Sequence, residues 1–88
     1  MTGIEVARFA LAHGCTVFRA RKDAPGQYDA KPYFTGSRRG WVALDTFTAS
    51  AITKVHAALT KPENRERFEG MPIQMMAHVA FKLIGGGK

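Results

Sequence analysis

The sequence predicts an α+β domain: an N-terminal helix and a small antiparallel sheet or hairpin, followed by three helices. Three observations carry this expectation. Thr2-Gly-Ile-Glu5 fits a helix-starting capping box. Residues 15–44 are rich in β-formers and are broken by two turn signals. From Asp45 to Ile84 the apolar residues recur at helical spacing.

The first helix is expected from Gly3 to His13, with Ile4, Ala7 and Leu11 as its apolar stripe and Gly14 as a left-handed cap. Val6, Phe9 and Ala10 lie on its opposite side, so the helix is either heavily buried or partly extended. Cys15 to Lys22 alternates as a strand, with Thr16, Phe18 and Ala20 on one face and Cys15, Val17, Arg19 and Arg21 on the other. Asp23-Ala-Pro-Gly26 then reverses the chain, since Pro25 presets φ and Gly26 supplies the positive φ of a type II turn. Pro32 confines any strand in Tyr28 to Thr35 to an edge or a strand start. Gly36 to Gly40 makes a second turn before the short apolar run Trp41 to Leu44.

Asp45 to Leu59 reads as the central helix, capped by Asp45 or Thr46. At about 100° per residue, Phe47, Ala51, Ile52, Val55, Ala58 and Leu59 fall within an arc of roughly 140°, opposite Ser50, Thr53, Lys54 and His56. Thr60-Lys-Pro-Glu63 repeats the capping-box pattern ahead of a short helix to Glu69, anchored by Phe68 and closed by Gly70. The last helix starts at Met71-Pro72 and runs to Leu83 or Ile84. Gln74, His78 and Lys82 form one narrow polar stripe, Ile73, Met76, Ala77, Ala80, Leu83 and Ile84 face away from it, and Met75, Val79 and Phe81 flank it. Residues 1–84 thus form one domain, and Gly85 to Lys88 a flexible tail.

With 88 residues and one cysteine, the chain has a modest core and no internal disulfide, which favours a reducing, cytoplasmic setting. No secretory signal and no apolar run of membrane-spanning length is apparent, so a soluble protein is expected. Catalysis is not expected: Cys15 with His13, His56 or His78 makes no evident nucleophile and base pair, and a buried structural cysteine beside a surface histidine is the plainer reading. Nor is a metal or other cofactor, because no pair of His and Cys has ligand spacing. No small-molecule substrate is indicated.

Thirteen Lys and Arg against seven Asp and Glu give a net charge of +6. Residues 16–41 hold six cations and two acids, interleaved with Phe18, Tyr28, Tyr33, Phe34 and Trp41. Such a segment can neutralise phosphates and stack bases, which makes Arg19, Arg21, Lys22, Arg38 and Arg39 candidate nucleic-acid contacts. The same aromatics are also what a small sheet needs for its core. A helix-turn-helix is disfavoured, because the last helix offers little polar surface to base edges. What that helix offers instead is surplus apolar surface, and Met75, Val79 and Phe81 are the candidate protein interface, for a homodimer or another partner.

Arg39-Gly-Trp-Val-Ala-Leu-Asp-Thr-Phe-Thr-Ala-Ser-Ala-Ile52, with Glu63-Asn-Arg-Glu-Arg-Phe68 and Ala80-Phe-Lys-Leu-Ile84, resembles small uncharacterised proteins encoded by bacteriophages of actinobacteria, of the mycobacteriophage type. The likeness covers about residues 39–84 and carries no functional residue with it. It implies a setting, the cytoplasm of an infected bacterium, and a role among accessory proteins that bind host or phage components. Residues 1–38 fall outside it.

Overall fold

The structure, a computed structural model, describes residues 1–33 and 39–84. The expected tail 85–88 and residues 36–38 of the second turn lie outside the described residues. The chain runs α1 (Gly3–His13), β1 (Thr16–Ala20), β2 (Tyr28–Pro32), β3 (Val42–Leu44), α2 (Thr46–Ala58), α3 (Pro62–Glu69) and α4 (Ile73–Ile84), in the expected α+β order.

Most element ends follow from short-range chemistry. Thr2 Oγ1 accepts from the Glu5 N–H at 3.2 Å while Glu5 Oε1 accepts from the Thr2 N–H at 2.7 Å, the reciprocal capping box. Gly14 ends α1 at φ 86° and ψ −163°, a region open essentially to glycine alone, and donates its N–H to the Ala10 carbonyl at 2.8 Å. Gly26 takes φ 81° and the Gln27 N–H closes the turn on the Ala24 carbonyl at 3.0 Å. Asp45 Oδ1 caps α2 by accepting from the Thr48 N–H at 2.7 Å. The second capping box does not form: Pro62 occupies the first helical turn, so Lys61 is the N-cap and Thr60 lies one residue too early to reach a free N–H.

The sheet has the order β2, β1, β3 with both pairs antiparallel, and Pro32 sits on the edge strand β2. Met1 extends that edge, its backbone carbonyl accepting from the Tyr28 N–H at 2.7 Å. One face of β1 turns Phe18 into the core, edge-on to Tyr28 at 5.8 Å between ring centroids. α1 lies against the sheet and against α2, and α2 also packs on α4 and α3. The core gathers Ile4, Val6, Ala7, Phe18, Leu44, Ile52, Val55, Phe68, Ile73 and Met76. Gly3 leaves room for the α4 side chain Met76, since a Cβ there would lie 2.8 Å from Met76 Cε.

Three helical faces depart from the periodic expectation. In α2 the buried residues are Ala49, Ala51, Ile52, Val55 and His56, so the buried arc is turned by roughly 50° from the expected one at 100° per residue. Phe47 is 75% exposed and Ala58 is exposed, whereas His56 is buried. Its position is stabilised by a 2.6 Å hydrogen bond from Nε2 to Glu69 Oε2, which ties α2 to the end of α3. In α4 only Ile73, Met76 and Ala80 are buried; Leu83 and Ile84 are exposed although their azimuths match the core face, because the last turn runs beyond what the domain covers. Leu11, near the end of α1, is exposed in the same way.

Candidate functional site

Two surfaces compete for a functional role, and the strands and helices build them differently. The outer face of the sheet carries Val17, Arg19 and Arg21 from β1 and the segment after it, Asp29 and Lys31 from β2, and Trp41 and Ala43 from the β3 side. Arg19 and Asp29 stand directly opposite each other in the register and pair at 3.3 Å. Arg21 grips Asp23 through Nε at 3.1 Å and Nη2 at 2.9 Å, and its Nη1 lies 3.8 Å from Asp29. This pairing raises the Arg21 pKa and lowers that of Asp23, in both cases chiefly through the side-chain hydrogen bond between them. Arg19 Cζ and Lys31 Nζ each lie 4.5 Å from the centroid of the Trp41 ring. Beneath this layer Val17 has no solvent exposure.

A hollow of about 410 Å³ lies here and is lined by Arg19, Ala20, Arg21, Lys22, Asp23 and Asp29. Its two acids partner its two arginines, so its size is a weaker guide to binding than its chemistry. Of the five expected nucleic-acid contacts, Arg19 and Arg21 are thus paired internally, Lys22 lines the same hollow, Arg39 is exposed in a turn, and Arg38 lies outside the described residues.

The second surface lies between α2 and the end of α4. Phe47 and Phe81 stack with centroids 5.7 Å apart and 25° between their planes. Beside them a hollow of about 120 Å³ is bounded by Phe47, Ser50, Ala51, Lys54, Phe81 and Ile84. A second hollow, about 280 Å³, continues past Ile84 along Lys54, Val55, Ala58, Leu59 and Leu83. Leu83 is 63% and Ile84 54% exposed, so the strip is apolar, continuous and open. The three residues expected to form an interface do not share one face. Met75 and Phe81 are exposed but about 120° apart around the helix at 100° per residue, and Val79 is half-buried against the core. Only Phe81 belongs to the strip. Phe47, Leu83 and Ile84 join it instead, the first from the apolar arc expected for α2 and the other two from the side of α4 opposite its polar stripe.

A hollow of about 300 Å³ is lined by Thr2, Glu5, Arg8, His56 and Glu69, among others. An imidazole held by a carboxylate there is part of a relay, but the hydroxyl and the carboxylate of Thr2 and Glu5 are engaged in the α1 cap. Cys15 is exposed, not buried as the plainer sequence reading had it, because the chain leaves α1 through the open Gly14 corner before β1 enters the core. The His13 ring packs on Phe9 at 4.3 Å. Among the described residues no group of three or more His, Cys, Asp and Glu side chains is placed to hold a metal ion, and no helix is long and apolar enough to cross a membrane. No family model, curated protein or solved structure matches this chain.

Proposed function

We propose that this chain is a binding module that works without catalysis and docks a protein through the apolar strip of α2 and α4. The carrying observation is the run of exposed side chains Phe47, Phe81, Ile84 and Leu83 around two connected hollows. Apolar surface of this kind, kept in water by a folded monomer, is characteristic of protein contacts. The resemblance to actinobacteriophage proteins supplies the setting of this reading: an accessory protein in the bacterial cytoplasm whose partner is a host or phage component or a second copy of itself. Nucleic-acid binding through the basic outer face of the sheet is the second reading, favoured by the exposed Lys22 and Arg39 and weakened by the acids that already pair Arg19 and Arg21.

Sedimentation and salt titration separate the two. Protein docking through the strip predicts association that survives rising salt and is lost on Phe81→Glu or Leu83→Glu with helix content intact. Association with a DNA or RNA oligonucleotide that weakens log-linearly with salt, and that these two substitutions leave unchanged, would transfer the function to the sheet.

A further inference from the structure

Resting on that docking reading and narrowing it, we propose that the strip takes an acidic amphipathic helix from another chain. The shape suits a helix. From Phe47 to Leu59 the strip follows α2 for about 18 Å at 1.5 Å per residue, roughly three turns of a partner. Its two hollows, on either side of Ile84, are displaced along α2 by about six residues, roughly 9 Å. Large apolar side chains two turns apart on a partner helix reach one hollow each, the usual mode of a helix laid in a groove.

Charge selects among such helices. Lys54 lines both hollows, and neither α2 nor α4 contains an Asp or Glu; their formal charges are Lys54 and Lys82. Asp45, the acid that precedes α2, has its carboxylate turned onto the Thr48 N–H. Lys82 lies on the polar side of α4 with Gln74 and His78, so the charge on the strip is that of Lys54, with no acid from either helix to offset it, on a chain of net charge +6. A partner helix with carboxylates flanking its apolar face meets complementary charge, which steers encounter and rejects basic competitors. A second copy meets the opposite situation. A two-fold contact places the same patch against itself, bringing Lys54 toward its own counterpart with no carboxylate on either helix to offset it.

The test uses fluorescence anisotropy with labelled synthetic helices of about 16 residues, four turns long. One carries leucines at i, i+4, i+7 and i+11 with glutamates flanking them, one has lysines in place of the glutamates, and one is a scramble of the first. At low salt the glutamate peptide is expected to bind at least about tenfold more tightly than the lysine peptide, and the scramble not at all. Lys54→Glu should narrow or invert that preference, and Leu83→Glu should abolish binding of both ordered peptides. Equal binding of the glutamate and lysine peptides, binding of the scramble, or a dimer that buries Leu83 would overturn the acidic-helix proposal while leaving protein docking through the strip intact. No peptide binding by a protein that also sediments as a monomer, unchanged by Phe81→Glu, would overturn both.

Discussion

The outer face of the sheet and the outer face of the α2 and α4 pair are both crowded with residues that bind things, but on the sheet most of them are engaged with one another and on the helices several face water. On the sheet, Trp41 takes both Arg19 and Lys31 against its ring, and Asp23 and Asp29 occupy Arg21. Arg19, Arg21, Lys31 and Trp41 each meet a neighbour from an adjacent strand or turn. Between the helices, Phe47 and Phe81 find each other, but Leu83 and Ile84 face water beside two open hollows. Composition pointed at the sheet, because cations and aromatics are conspicuous in a sequence. Partnering points at the helices, because what signals a binding surface is a group without its complement.

The widest gap between an inner and an outer face is within α2 itself. Ile52→Ala should cost about 2 to 5 kcal/mol in urea unfolding, as expected for a large side chain with no solvent exposure. Phe47→Ser, five residues earlier on the same helix, should change stability by less than about 1 kcal/mol, since surface substitutions away from special features rarely do more. A Phe47 variant as damaging as the Ile52 one would mean that the strip is part of the core.

The start of α2 comes next. Asp45→Ala should cost about 1 kcal/mol through the lost cap. Hydrogen bonds from the Thr48 side chain and backbone hold the Asp45 carboxyl below its ordinary 3.8, and the Thr2 backbone holds Glu5 below its ordinary 4.5. Both carboxyls are therefore more acidic folded than unfolded. Their contribution is present above the ordinary values and is lost as pH falls through the depressed ones, so midpoints should fall on acidification below about pH 4.5. The Asp45→Ala and Glu5→Gln variants should lose less stability over that interval than the parent.

A smaller effect tests the claim that the sheet face is already satisfied. A double-mutant cycle on Arg19 and Asp29 should give a coupling of about 0.2 to 1 kcal/mol, fading with salt, as for other exposed cross-strand pairs. Replacing Asp23 and Asp29 together by Asn should raise affinity for a single-stranded oligonucleotide and steepen its salt dependence, because it frees two arginines. If the parent already binds as steeply, the acids are not masking the face and the comparison fails. The smallest effect belongs to Leu83→Gln, expected to shift stability by no more than about 0.5 kcal/mol while weakening partner binding.

What the sequence by itself determined is where elements begin and end. The Thr2 and Glu5 box, the Pro25 and Gly26 turn, the Gly14 corner and the Asp45 cap each close within three or four residues, and all four stand in the structure. The α+β order and the antiparallel sheet with Pro32 at its edge follow from the same local chemistry. What only the tertiary structure decided is which way each helix faces and how far its cover extends. The azimuth of α2 is set where it packs on α1 and α4: His56 turns inward, where its ring bonds to Glu69 thirteen residues away, and Phe47 turns out. Leu83 and Ile84 repeat the core-facing pattern of α4 correctly but lie past the end of the body. Periodicity records the direction in which a side chain points from its own helix axis, and the neighbour it meets there is supplied by a distant part of the chain.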